Sequence, residues 1–175
     1  MPGTIWHCHI AVSLDGKIAR TDGSFDWLKP YPPQEFGIEA FMADVDAIVM
    51  GRATYEIERR MDDWPHPGKL ARVVTSRPLV DPPPMVEPWS GDLLALAGEL
   101  EGRGCRRVGI EGGGQLIRGM IEIGRLDVLE MAIIPLVLGE GIPLFPPGTR
   151  EFKLRLAKCE PKSGGALHVV YERAG

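Results

Sequence analysis

The sequence predicts an α/β protein built on a largely parallel sheet, with an antiparallel part towards its C-terminal end. Three observations carry that prediction. Short apolar segments of strand length alternate with helix-length segments over the first two thirds of the 175 residues. Strand-like segments then follow one another without a helix between them. Four strands end in polar or glycine-rich turns, which in a parallel sheet gather along one edge.

The elements read in order as follows. Thr4 to Ser13 is a buried strand, ended by the turn Leu14-Asp15-Gly16. Lys17 to Pro33 is a long irregular passage, a length that in compact domains usually serves function. Gln34 to Ala43 carries Phe36, Ala40 and Phe41 at helical spacing, and Ala47 to Met50 is a short apolar strand stopped by Gly51-Arg52. Thr54 to Arg60 is a short helix, Arg72 to Thr75 a strand, and Met85 to Glu87 another beyond a proline-rich passage. Ser90 or Asp92 caps a helix that runs to about Glu101 on an apolar side of Leu93, Leu94, Leu96, Ala97 and Leu100. Arg107 to Ile110 is a strand, Gln115 to Ile123 a helix and Val128 to Leu138 a long strand. Phe152 to Cys159 and Leu167 to Glu172 alternate like antiparallel edge strands.

Composition limits the function classes. Hydrophobic residues make up 44% of the chain, enough for one core, so residues 1–175 are expected to form a single domain. The 22 glycines and 16 prolines fall between apolar segments, as turns do, and show no collagen period. A net charge of -4 gives no basic face for a nucleic-acid backbone. Cys8, Cys105 and Cys159 include no C-x-x-C pair, so neither a disulfide framework nor a zinc site is expected. His7 and His9 share one face of a strand and read as ordinary strand side chains. The longest apolar stretch, Met131 to Leu138, is far below the roughly 18 residues of a membrane helix. A cytoplasmic protein with a small-molecule substrate, and without nucleic-acid or membrane partners, is the expectation.

The most informative turn is Glu111-Gly112-Gly113-Gly114-Gln115. A strand ends, three glycines follow, and an amphipathic helix begins, so backbone N–H groups are presented to an anion such as a phosphate. The spacing is neither G-x-G-x-x-G nor a P-loop, because Ile117 stands at the last glycine position and no Gly-Lys-Ser/Thr follows. Arg52 and Arg77 stand just after two other strands, with hydroxyls from Thr54, Thr75 and Ser76 beside them. Two such turns with the glycine loop suit a nucleotide with more than one phosphate, and NADP fits, its 2′-phosphate explaining the paired arginines. The acids available to orient a substrate or relay a proton are Asp15, Glu35 and Glu111. Asp-Gly is a common turn in its own right, Glu35 reads equally as a surface helix residue, and Glu111 is favoured because it directly precedes the glycine loop.

These motifs, taken in order, resemble the dihydrofolate reductase superfamily, and in particular the stand-alone form of the reductase domain of riboflavin-biosynthesis deaminase-reductases. The residues that carry the resemblance are 11–19 (AVSLDGKIA), 22–28 (DGSFDWL), 49–56 (VMGRATYE), 75–77 (TSR), 111–116 (EGGGQL) and 134–145 (IPLVLGEGIPLF). The resemblance implies a three-layer dihydrofolate reductase-like fold, with a central mostly parallel sheet of about eight strands. It implies an NADPH-dependent reductase that converts the ribosyl part of 5-amino-6-(5-phosphoribosylamino)uracil to a ribityl chain. By position Ala11, Trp27, Thr54, Ser76 and Gly113 to Leu116 (Gly113, Gly114, Gln115, Leu116) would line NADPH, and Gly51 and Arg52 would lie beside its adenosine phosphates. Glu111 would contact the substrate, Asp15 would lie near the same cleft, and Glu35 would stand near the helix acid of the folate enzymes. A homodimer is also implied, and Val128 to Leu138 reads either as a dimer contact or as a central buried strand. Two departures matter. The zinc deaminase motifs are absent, and Pro67-Gly68-Lys69 puts lysine, which cannot make the same planar two-bond grip, where folate enzymes use arginine. A folate reductase and a non-catalytic NADPH-binding module are the alternatives.

Overall fold

A computed structural model describes residues 3–175. Its elements are β1 (Ile5–Ser13), β2 (Lys17–Ala19), α1 (Ile38–Asp44), β3 (Ala47–Gly51), α2 (Arg52–Glu58), β4 (Leu70–Val74), β5 (Val86–Trp89), α3 (Leu93–Gly102), β6 (Arg107–Gly112), α4 (Gly114–Glu122), β7 (Val128–Ile134), β8 (Ile142–Pro143), β9 (Leu154–Pro161) and β10 (Leu167–Arg173). The main sheet has eight strands in the order β5-β4-β3-β6-β1-β7-β10-β9. All neighbours from β5 to β7 run parallel, and β10 runs antiparallel to both β7 and β9. A separate two-stranded sheet pairs β2 with β8.

Strand periodicity explains the layers. In β3, Ala47 and Val49 join a cluster with Leu96 and Leu100 of α3 and Ile117 and Met120 of α4. Ile48 and Met50 face the other way, into a cluster with Phe41 of α1 and Tyr55 of α2. Successive residues point to opposite faces, so a strand covered by helices on both sides must be apolar throughout, as this one is. Each of the larger buried side chains, Ile48, Val49 and Met50, contributes about 1.5–3 kcal/mol. Asp92 caps α3 by accepting a 2.8 Å hydrogen bond from the Ala95 N–H, which decides between the two capping residues that the sequence offered.

Four expectations need correction. The helix expected over Gln34 to Ala43 is two pieces, a 3₁₀ turn at Pro33–Phe36 and α1. Gly37 breaks it: its φ is +78°, and a Cβ there would lie 2.7 Å from Glu130 Oε1. The long strand expected over Val128 to Leu138 stops at Ile134, before Pro135, which has no N–H to donate. It lies between β1 and β10, as an interior strand of the sheet. Of the two C-terminal strands only β9 is an edge, and Arg155, Lys158 and Glu160 furnish it with the charges that discourage edge pairing. The passage from Lys17 to Pro33 is not wholly irregular, since it contains β2 and a 3₁₀ turn at Asp26–Leu28. Among the described residues no helix is long and apolar enough to cross a membrane.

Candidate active site

The carboxyl ends of β1, β3 and β6 open into one cavity of about 1520 Å³. This is where an open parallel sheet places its ligands. Nine of the residues singled out in the sequence line it: Ala11, Gly51, Arg52, Thr54, Glu111, Gly113, Gly114, Gln115 and Leu116.

At its centre is the glycine loop. Gly112 has φ +110°, a conformation side chains avoid, and its peptide bond to Gly113 is cis. Gly113 occupies the N-cap of α4 without a side-chain cap, so the first N–H groups of that helix face outward with the positive end of its dipole. Gly114 is buried, and a Cβ on it would lie 2.5 Å from Pro143 O and 3.2 Å from Leu144 O. The strap carrying β8 thus crosses directly over the helix start. Gly51 approaches from the neighbouring strand, where a Cβ would sit 3.6 Å from Gly112 O and Gly113 N. Side chains at these two positions would fill or displace the cradle, and its chemistry fits a phosphate.

Arg52 begins α2, with its Nε 2.7 Å from Glu56 Oε1 and its Nη1 donating to Arg77 O at 3.3 Å and Pro78 O at 3.1 Å. It therefore braces the loop after β4 against the cavity edge. Thr75, Ser76 and Arg77 lie in that loop, beyond the cavity lining. Thr75 Oγ1 accepts the Arg77 N–H at 3.2 Å and stabilises the turn, while Ser76 and Arg77 are exposed.

A group of buried titratable side chains lies in the wall between β6 and α2. Glu111 Oε1 is enclosed and has no hydrogen-bond partner, and burial pushes the Glu111 carboxyl up to about 7. His66 draws that value down and Glu58 raises it. His66 Nε2 lies 2.9 Å from Glu58 Oε2, and the ring packs edge-on against Trp64 at 5.1 Å between centroids. One ligand atom from each of Glu58, His66 and Glu111 falls within 4.8 Å of the others, so these three are also where a metal ion would find donors. Neither Glu58 nor His66 was singled out in the sequence. Glu58 was within reach, because it follows Thr54 by one helical turn and so shares its cavity-facing side. His66 lies in an irregular loop and carried no periodic signal.

Besides Thr75, Ser76 and Arg77, three further expected site residues are placed elsewhere. Asp15 accepts hydrogen bonds from Ser13 Oγ (2.7 Å), Leu138 N (3.0 Å) and Gly139 N (2.9 Å), which clasp two loops together and hold its carboxyl down at about 2. Glu35 accepts from Ser163 Oγ at 2.7 Å and does not line the cavity. Trp27 is buried in a cluster with Phe36, Ala132, Ile134 and Ala166, while its neighbours Phe25, Asp26 and Leu28 reach the cavity instead. The sequence also missed His9, which lines the cavity with Nε2 2.6 Å from Phe36 O. Below it, Glu130 is clamped between His7 Nε2 at 2.8 Å and His168 Nε2 at 2.6 Å.

Comparison with known proteins agrees with this geometry. The family model for the RibD C-terminal domain matches residues 6–167. The uncharacterized protein YwjB of Bacillus subtilis is 35% identical over 168 residues, covering 95% of this chain and 96% of that one. The crystal structure of a candidate riboflavin biosynthesis protein from Shewanella sp. PV-4 superposes with a TM-score of 0.88 at 29% identity, covering 98% of this chain and all of the other. The dihydrofolate reductase of Enterococcus faecalis, complexed with NADP(H), shares the fold with a TM-score of 0.69 at 22% identity, covering 98% of this chain and 97% of its own. The eight-stranded sheet is therefore that of the dihydrofolate reductase-like fold, and the chain belongs to the RibD C-terminal domain family.

Proposed function

We propose that the protein is an NADPH-dependent reductase of a small carbonyl or imine, with 5-amino-6-(5-phosphoribosylamino)uracil as the first candidate substrate. The observation that carries this reading is a single cavity joining the uncapped start of α4 to the enclosed, protonatable carboxyl of Glu111. Its membership in a riboflavin-biosynthesis family and the NADP(H) held by its folate-reducing structural neighbour support the same choice.

The residues present fit the cofactor. The N–H groups of Gly114, Gln115 and Leu116 would receive its diphosphate, with Gly51 and Gly113 leaving room for it. Arg77, exposed beside the braced Arg52, would meet the 2′-phosphate. NADPH, when bound, supplies a hydride. The chain's own part is then to orient the substrate, exclude water and deliver one proton. Glu111 O–H is the donor: its proton passes to the nitrogen or oxygen left electron-rich by hydride addition, and the carboxylate recovers a proton from solvent. A group near 7 holds enough of its acid form at neutral pH for that task.

Folate is disfavoured by a specific contact. Lys69 Nζ donates to Val45 O at 2.7 Å, so the lysine standing in place of the folate-binding arginine is committed to the backbone. Assaying NADPH oxidation with the uracil substrate and with dihydrofolate tests the proposal. The expected result is turnover of the first, lost by about 100-fold or more in Glu111→Gln. NADPH binding without turnover of either substrate would support the non-catalytic module, and an unaltered rate in Glu111→Gln would remove Glu111 from the chemistry.

A further inference from the structure

Two largely buried carboxyls stand in the wall between α2 and β6 without a cationic partner. Glu58, with 12% of its side chain exposed, pairs only with His66, with 3% exposed, at 2.9 Å. Glu111 Oε1 is enclosed and has no hydrogen-bond partner, and the same holds for His66 Nδ1. The arginines of α2 and its C-terminal end are committed elsewhere, Arg52 to Glu56, Arg77 O and Pro78 O, and Arg59 to Val80 O. Among the described residues, therefore, no arginine or lysine meets either carboxyl. Burying two carboxylates and an imidazole together is expensive unless a positive charge and good ligand geometry compensate them.

We propose that Glu58, His66 and Glu111 form a binding site for a zinc ion. One ligand atom from each lies within 4.8 Å of the others. Zinc bonds of about 2.1 Å place tetrahedral ligands about 3.4 Å apart. The 2.9 Å pair of Glu58 and His66 would open by about 0.5 Å, and no other pair would close by more than about 1.4 Å, which side-chain rotation supplies. One imidazole nitrogen with two carboxylate oxygens suits zinc, whereas magnesium and calcium favour oxygen alone. The two carboxylates also cancel the charge of a dication, so the filled site is neutral. His66 is held in place from behind: Trp64 packs edge-on against it at 5.1 Å between centroids, and Tyr55 against Trp64 at 6.2 Å. Glu58 and Glu111 line the cavity and His66 does not, so the fourth ligand position falls on the cavity side, open to water or a substrate oxygen. The site does not depend on the reductase reading. On that reading, zinc would hold Glu111 as a carboxylate and stop it delivering a proton.

The test is isothermal titration of the untagged, EDTA-treated chain with zinc chloride, followed by X-ray absorption at the zinc edge of the loaded protein. Saturable binding at one site per chain, with a micromolar or tighter Kd, is expected. The absorption spectrum should show nitrogen and oxygen ligands only, one of them an imidazole. His66→Gln and Glu58→Gln should each weaken zinc by at least about 10-fold, the least that loss of even an outer partner of a metal ligand costs. Retained circular dichroism would show that the variants fold. Absence of saturable zinc binding to the wild type would overturn the proposal without any variant. Sulfur among the ligands would also overturn it, by placing the ion on a cysteine such as the exposed Cys159. So would an affinity that both substitutions leave unchanged. Failure of NADPH turnover would sink the reductase reading and leave the zinc site standing.

Discussion

Gly114→Ala is the sharpest structural prediction, because the consequence can be worked from a single contact. A Cβ at position 114 would stand 2.5 Å from the carbonyl oxygen of Pro143, whereas ordinary contact begins at 3.4 Å. The β8 strap must therefore retreat by about 0.9 Å, the difference between those distances, or α4 must tilt. Overpacking of this kind costs about 1–3 kcal/mol. For a chain of this length each kcal/mol shifts Tm by about 2–4 °C, so the expected fall is about 2–12 °C. Gly98→Ala is the matched control. Gly98 is exposed in the middle of α3 and a Cβ there meets nothing within 4 Å. Alanine is the better helix former by about 0.5–1 kcal/mol, so that variant should melt about 1–4 °C higher. Differential scanning calorimetry of the two proteins decides the matter. A Gly114→Ala protein that melts with the wild type would refute the described closeness of strap and helix, and a matching loss in Gly98→Ala would show that the effect is not steric.

The other expectations follow from charge. The Glu111 carboxyl is raised from 4.5 to about 7 in the folded chain, so its contribution to stability is full below pH 4.5 and is lost as pH rises through 7. At 1.36 kcal/mol per pH unit that loss is about 3 kcal/mol, so Glu111→Gln should be more stable than the wild type at pH 8 and show no such gain at pH 4. Urea denaturation at both values checks this, and an equal difference at the two would contradict it. Arg77→Ala should weaken NADPH by about 10–100-fold, the worth of a charge-assisted hydrogen bond, while NADH is little changed; equal losses in a fluorescence titration would argue against a 2′-phosphate contact. Glu130→Ala should cost about 3–5 kcal/mol in urea, because it strips His7 and His168 of a shared buried partner. A loss below about 1 kcal/mol would show that the clamp contributes little.

The sheet was legible in the sequence because a strand buried on both faces must be apolar along its whole length, as β3 is, and because β1 and β6 are short, mostly apolar segments each ended by a turn signal. The glycine loop was legible for a related reason: where backbone must meet a ligand and another strap at once, only glycine fits, and Gly114 shows how tightly. Misplaced residues share a different cause. Asp15, Glu35 and Trp27 are of types that can equally clasp a loop, decorate a surface or fill a core, and their chain position gives no hint of which way they point. Gly37 was read within a helix because spacing alone hides the left-handed turn that Glu130 leaves room for. His66 was invisible for the opposite reason, since its partners Glu58 and Glu111 are assembled only when α2, its following loop and β6 are brought together.

The central claim is that the cavity at the start of α4 receives NADPH. Isothermal titration of the wild-type chain with NADPH measures this directly. Saturable binding with a micromolar or tighter Kd, at one site per chain and weakened in Gly114→Ala, is the predicted result. Absence of saturable binding at millimolar NADPH to a folded chain would contradict the account.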